Sequence, residues 1–183
     1  MLLLGCRPPG RHTEQHDVFF GIGNAVKDLV PQIKAFWPGA GPLHVDAWRE
    51  VTLVDGYRIT VLPREQEAVL AGDAPSLYFM NLGGYLEAQF DEFHYKMLVV
   101  APHKAAAIKK SKQTAFYKHT GFKGAPAHID DQWGVAVDEL YLVKDILPGQ
   151  LKQQYSLQIL PADPALEAQE DRLHLGYFKL NKL

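Results

Sequence analysis

The chain has 183 residues, 47% of them apolar and 22% charged, a formal net charge of −2 and one cysteine. This is enough apolar chain for one domain, or for two small ones sharing a core, without disulfide staples. The near-neutral charge argues against whole-chain attraction to nucleic acid or an anionic membrane, no apolar run is long enough to span a bilayer, and a single cysteine rules out an intrachain disulfide or a cysteine-built zinc site.

Leu2–Leu4 reads as an apolar strand. The opening Met1 to Cys6 has the look of a lipoprotein cleavage box, but no basic segment or longer apolar stretch precedes it in this sequence, so Cys6 is read as packing at a strand end. Glu14-x-His16 follows, then an apolar run over Val18–Ile22. Gly21-x-Gly23 comes after that run as in a dinucleotide loop, but the third glycine position is Val26, so a plain strand-to-helix turn is expected. A helix reaches Trp37, capped by Asn24 with a kink at Pro31, or by Asp28 with Pro31 in its first turn; Pro38-Gly39 ends it. His44-x-Asp46 and Trp48 come next. Asp55-Gly56 between Val51–Val54 and Tyr57–Leu62 predicts a hairpin with a type I′ turn.

Leu77–Leu82 and Lys96–Ala101 read as strands, with Glu92-x-His94 between them. Pro102 precedes a helix over Lys104 to Tyr117, which carries Ala105, Ile108, Ala115 and Phe116 on one side and lysines on the other. Lys104, Lys109, Lys110, Lys112, Lys118 and Lys123 have no acidic residue among them, and Phe116, Tyr117 and Phe122 are interleaved. This stretch is either a solvated helix face or a surface for an anionic partner. His128-x-Asp130 and Trp133 follow. Strands are expected over Val135–Val143 and Tyr155–Leu160, joined by a segment with Pro148-Gly149, and a short helix or loop over Ala162–Gln169.

The order of landmarks repeats. A shift of 78 places Leu4-Gly5 on Leu82-Gly83 and Glu14-x-His16 on Glu92-x-His94. After a gap of six residues, a shift of 84 places His44-x-Asp46 on His128-x-Asp130. A third echo, at a shift of 98, places Tyr57–Pro63 on Tyr155–Pro161 and Leu77, Phe79 and Leu82 on Leu175, Tyr177 and Leu180. An insertion around Val143 to Gln154 reconciles the shifts, and the strand near Leu77–Leu82 is expected to close the first unit and open the second.

These residues resemble a small bacterial family, domain-of-unknown-function family 1543, found in one or two copies per chain. The resemblance rests on Leu4-Gly5, Gly10, Glu14-x-His16-Asp17-Val18 and Leu43-His44-Val45-Asp46, then on Leu82-Gly83-Gly84, Glu92-x-His94 and Ala127-His128-Ile129-Asp130. It implies two tandem copies and supplies no activity, substrate or cofactor. Tyr95 stands where the first copy has Asp17.

The reading is an internally duplicated α+β protein with pseudo-twofold symmetry. Each unit is β-β-α-β-β with a mixed or antiparallel sheet, the units spanning 1–75 and 76–183, and two sheets or one continuous sheet carry the two helices. On strands, Glu14 and His16, or His44 and Asp46, share a face because side chains alternate. Converging pairs offer two imidazoles and two carboxylates, a donor set for a divalent transition metal or for acid–base work; a structural hydrogen bond is the competing explanation. Glu92, His94, His128 and Asp130 offer the same in the second unit. The first functional reading is a cytoplasmic binding or interaction module, the second a metal-dependent, hydrolase-like enzyme, and the third an anion-binding protein using the lysine-rich helix. Exposed terminal strands would let two copies pair as a homodimer.

Overall fold

The computed structural model describes residues 1–66, 74–119, 121–122, 125–126, 128–129, 140–163 and 171–183, with backbone alone from 119 to 129. It is mixed α+β with antiparallel pairing throughout the described strands.

In the first half, β1 (Leu2–Cys6) and β2 (Gln15–Phe19) pair, and a 3-10 turn over Val26–Leu29 leads into α1 (Val30–Phe36). Pro31 sits in the first turn of α1, and the Asp28 carboxylate accepts from the Ala25 amide. The helix thus starts near Asp28 with Pro31 in its first turn and no kink, but its N-cap is Leu29 and not Asp28, whose carboxylate serves the preceding 3-10 turn. Gly39 ends the segment at φ 78°. Then come β3 (Leu43–Trp48), β4 (Leu53–Val54) and β5 (Tyr57–Pro63). Asp55 and Gly56 both have positive φ, as a type I′ turn requires. The unit therefore holds one strand more than expected, namely β3.

The second half has β6 (Ser76–Gly84), β7 (Phe93–Ala101), α2 (Lys104–Ser111) and α3 (Ala115–His119). The expected single helix breaks because the Ser111 and Thr114 hydroxyls donate back to the carbonyls of Ile108 and Ser111, and Thr114 Oγ1 then caps the Tyr117 amide. The short strands β8 (Gly121–Phe122), β9 (Ala125–Pro126), β10 (His128–Ile129) and β11 (Leu140–Leu142) follow. Val143 opens a helix, α4 (Val143–Ile146), where a strand was expected, and α5 (Gly149–Gln154) completes the inserted segment. β12 (Tyr155–Pro161) and β13 (His174–Lys179) end the chain. Trp133 and most of Ala162–Gln169 lie outside the described residues.

The strands form separate sheets rather than one continuous sheet. One has the order β13-β3-β1-β2, and in another β6 pairs with β7, β10 and β11. Among the described residues β6 pairs only with second-half strands, so it is β13 that closes the first sheet. The N-terminal strand β1 is interior to its sheet and is no free edge; β13 and β2 are the edges among the described residues.

A third sheet, β12-β5-β4, joins the halves. Thr60, which the shift of 98 places on Gln158, is paired with Gln158 itself. Equivalent strands that pair antiparallel about equivalent residues have a local twofold axis between them. Around this sheet, Phe20, Val54 and Ile59 pack with Leu77, Phe79, Leu98, Val143 and Ile159 in one cluster that mixes both halves. A separate cluster of Leu2, Leu4, Phe19, Leu29, Ile33 and Val45 holds α1 against the first sheet. Each such side chain contributes about 1.5–3 kcal/mol on burial.

Candidate functional site

Gly5 lies at the middle of the first sheet, paired with His16 of β2 on one side and His44 of β3 on the other. A side chain at Gly5 would meet His44 Nε2, His44 Cε1 and Asp46 Oδ2 closer than 3.0 Å, so glycine is needed to let these groups converge. Leu4 and Cys6, its neighbours, are fully buried. Alternation along β1 turns them away from the face over Gly5 and into the core. Burial, and then the nearby Glu14, pushes the Cys6 thiol up, which suits an inert packing residue rather than a nucleophile.

Asp46 owes its position to a bulge. Val45 pairs with Leu4 and Ala47 with Leu3, leaving Asp46 as the extra residue on β3. Bulges re-aim single side chains in this way. β13, on the far side of β3, also shifts register between Leu175 and Phe178, where Gly176 has φ 149°.

The four first-half candidates meet on this face. His44 Nε2 is 3.1 Å from Glu14 Oε1 and 3.2 Å from Asp46 Oδ1. His16 Nε2 is 3.3 Å from Asp46 Oδ2 and 3.6 Å from Glu14 Oε2. Each carboxylate thus offers one oxygen to each imidazole. The His44 side chain is 4% exposed and that of Asp46 26%, whereas His16 and Glu14 are at 41% and 44%. The cluster has a closed floor and an open mouth. At the floor, His44 Nε2 and Asp46 Oδ2 are buried and make no hydrogen bond despite these short separations. Among the described residues no three His, Cys, Asp or Glu side chains stand as a ready-made metal centre. The donors contact one another instead.

Two residues of this region escaped the sequence reading. The Tyr177 ring of β13 stacks on His44 at 4.1 Å, with 29° between the planes. His174 stacks flat on Trp48 at 3.9 Å. Their only sequence signal was the tail echo, which aligned Tyr177 with Phe79.

Asp17 faces away from the cluster's chemistry. Burial pushes its carboxyl up, opposed by the Val18 amide, which donates to it at 2.7 Å, and by Lys96. Gly21 is explained by packing: a Cβ there would press on the Phe19 ring and the Gln32 carboxamide oxygen. In the lysine-rich helix, Lys110 pairs with Asp55 at 2.8 Å and Lys112 lies over the Tyr117 ring.

In the second half, Gly83 pairs with His94 of β7 and with His128 of β10, the register that Gly5 has with His16 and His44. Glu92 precedes β7 by one residue. Asp130 lies outside the described residues.

Comparison with known proteins agrees with this picture at the level of fold. The crystal structure of a protein Il1583 from Idiomarina loihiensis is similar to 98% of this chain and 94% of its own, with a TM-score of 0.51 and 21% identity. No curated protein matches the sequence. No helix among the described residues is long and apolar enough to cross a membrane. Residues 11–61, which hold Glu14, His16, His44 and Asp46, match the family model of the Domain of Unknown Function DUF1543.

Proposed function

We propose that this protein is a cytoplasmic binding module, built from two copies of one unit over 1–75 and 76–183, whose first copy holds a divalent transition-metal ion through Glu14, His16, His44 and Asp46. The observation that carries the reading is His44 Nε2: buried, without a hydrogen bond, and close to two carboxylate oxygens, at 3.1 and 3.2 Å. A buried polar nitrogen left unsatisfied costs about 1–3 kcal/mol. An imidazole that served only as a structural hydrogen-bond donor would point at one oxygen.

Separations support the same reading. Metal–nitrogen and metal–oxygen bonds of about 2.0–2.1 Å in a tetrahedron put neighbouring donors about 3.3–3.4 Å apart. The four nitrogen–oxygen separations, 3.1 to 3.6 Å, are of that size, although each carboxylate now uses different oxygens for the two imidazoles. Small turns of the two carboxylates convert contact between donors into coordination of an ion. Two imidazoles and two carboxylates suit zinc, manganese, iron or nickel. The open mouth beside His16 and Glu14 leaves one side of the ion accessible, which is also what the hydrolase-like alternative needs.

In the second set, His94 and His128 have the equivalent backbone register about Gly83, which supports duplication of the scaffold. The ion is assigned to the first set, where all four side chains meet.

Elemental analysis of freshly purified protein, with thermal melts before and after chelation, tests this. About one equivalent of a transition metal is expected, lost to chelator together with a fall in Tm. Protein that takes up no metal when zinc, manganese, iron or nickel is supplied, and whose melt ignores chelator, would sink the reading.

A further inference from the structure

Tyr177 covers His44 without being buried itself: it is 64% exposed, so burial does not fix its ring. The path of β13 fixes it. That strand is an edge among the described residues, and its ladder with β3 is interrupted where Tyr177 sits, between the pairs Leu175–Ala47 and Phe178–Val45. An edge strand with a broken ladder is the part of a sheet that opens most readily. The two pairs before the break, His174–Trp48 and Leu175–Ala47, therefore depend on how the chain enters β13.

The entry is tied down at Asp171. Its Oδ2 accepts from the Thr52 amide at 2.8 Å and the Leu53 amide at 3.1 Å, and its Oδ1 accepts from the Thr52 hydroxyl. Thr52 and Leu53 lie where the chain leaves β3 and begins β4. The segment leaving β3 thus grips the segment entering β13. Just beyond the grip, His174 stacks flat on Trp48. Without it, His174 and Leu175 are free to fray or slip, and a slip of one residue turns the opposite face of a strand toward its neighbour.

We propose that Asp171 is a positioning residue for the histidine cluster: by fixing the register of β13 it keeps the Tyr177 ring on His44, and through that ring it raises the affinity of the site for metal. The second step rests on the metal reading; the placement of the ring does not.

The test has two readouts on the full chain. After chelation, proton NMR of the His44 ring reports whether Tyr177 stacks on it, because a stacked aromatic ring displaces those signals. Asp171→Ala should move them toward their positions in Tyr177→Ala. Thr52→Val, which removes only the hydroxyl contact, should move them less in the same direction. Asp171→Asn should leave them in place, since its carbonyl oxygen can accept from both amides and its NH2 group can donate to Thr52 Oγ1. Zinc titration then gives a double-mutant cycle. Asp171→Ala should weaken binding by up to the roughly tenfold expected for Tyr177→Ala, and should add nothing further in the Tyr177→Ala background. A general loss of stability would instead add in both backgrounds. His44 signals unmoved by Asp171→Ala and Thr52→Val, or equal added losses of zinc affinity in the two backgrounds, would overturn the proposal. A parent protein that binds no zinc would defeat the metal reading and, with it, the affinity step, while the His44 signals would still decide the placement of the ring.

Discussion

Gly5 and Gly83 occupy the same place in two sheets, each between two histidines, yet their surroundings have diverged. Beside Gly5, β3 runs for six residues, carries a bulge at Asp46, and is covered on its far side by β13 with Tyr177 on His44. Beside Gly83, Tyr95 stands in the place of Asp17. What the two places share is which residues face each other across strands. What differs among the described residues is the later strand laid beside β3. β13 comes from the far end of the chain and is what makes the first site enclosed.

The largest effect expected from breaking this comparison is at Gly5. Gly5→Ala places a methyl group where His44 and Asp46 converge, so metal uptake should be abolished and stability should fall by about 1–3 kcal/mol, read by metal titration and chemical denaturation. Retained uptake in a folded Gly5→Ala protein would contradict the close approach that defines the site.

His44→Ala should cost at least about a hundredfold in metal affinity, beyond what loss of a supporting residue costs. His16, on the open side, should cost less. Equal losses would mean that the closed floor has no special weight. Affinity in the parent protein should weaken as pH falls, because imidazole nitrogens must shed protons to bind metal; proton release measured during titration checks this.

Tyr177 tests the part that β13 contributes. Tyr177→Ala frees the His44 ring and should weaken metal binding about tenfold, whereas Tyr177→Phe keeps the stacked face and should retain it. A Tyr177→Phe protein as weak as Tyr177→Ala would assign the effect to the hydroxyl and not to the ring.

The smallest effect is at Asp17. Burial raises its carboxyl in the folded chain above the unfolded value, so folding favours the protonated form. Its stability contribution is therefore greatest at low pH and is lost as pH rises through the acid range. Asp17→Asn should be neutral or stabilising at pH 7, by less than about 1 kcal/mol because the residue is still exposed to solvent. A destabilised variant would mean that the Val18 amide contact outweighs burial.

Much of this architecture is legible in the residues because it is local. Asp55-Gly56 specifies its turn through two positive φ values, Asp28 ties down the 3-10 turn, and Pro31 sits in the first turn of α1. The repeat of Leu-Gly, Glu-x-His and His-x-Asp marks the strand registers, since a glycine between two histidines recurs in both sheets. β3 was legible too: Leu43, Val45 and Ala47 alternate with His44 and Asp46, a strand period that is lost when those residues are taken only as a motif. The break between α2 and α3 follows from hydroxyls at Ser111 and Thr114, which compete with the helix backbone.

Other features depend on distance along the chain. No local pattern makes β13 pair with β3, more than a hundred residues earlier, or brings Tyr177 onto His44. The bulge at Asp46 is set by the register of two neighbours at once, β1 and β13, and alternation alone would give a regular strand. The cluster's donors could therefore be named from their spacing, while their cover and their convergence required the assembled sheet.

The most direct test of the central claim is anomalous diffraction at the zinc edge from crystals grown with zinc. The account predicts a single strong peak over Gly5, about 2.0–2.1 Å from His16 Nε2 and His44 Nε2, with Glu14 and Asp46 completing the shell. No peak there, with His44 Nε2 instead donating a well-formed hydrogen bond to one carboxylate oxygen, would show that these four residues only hold strands together.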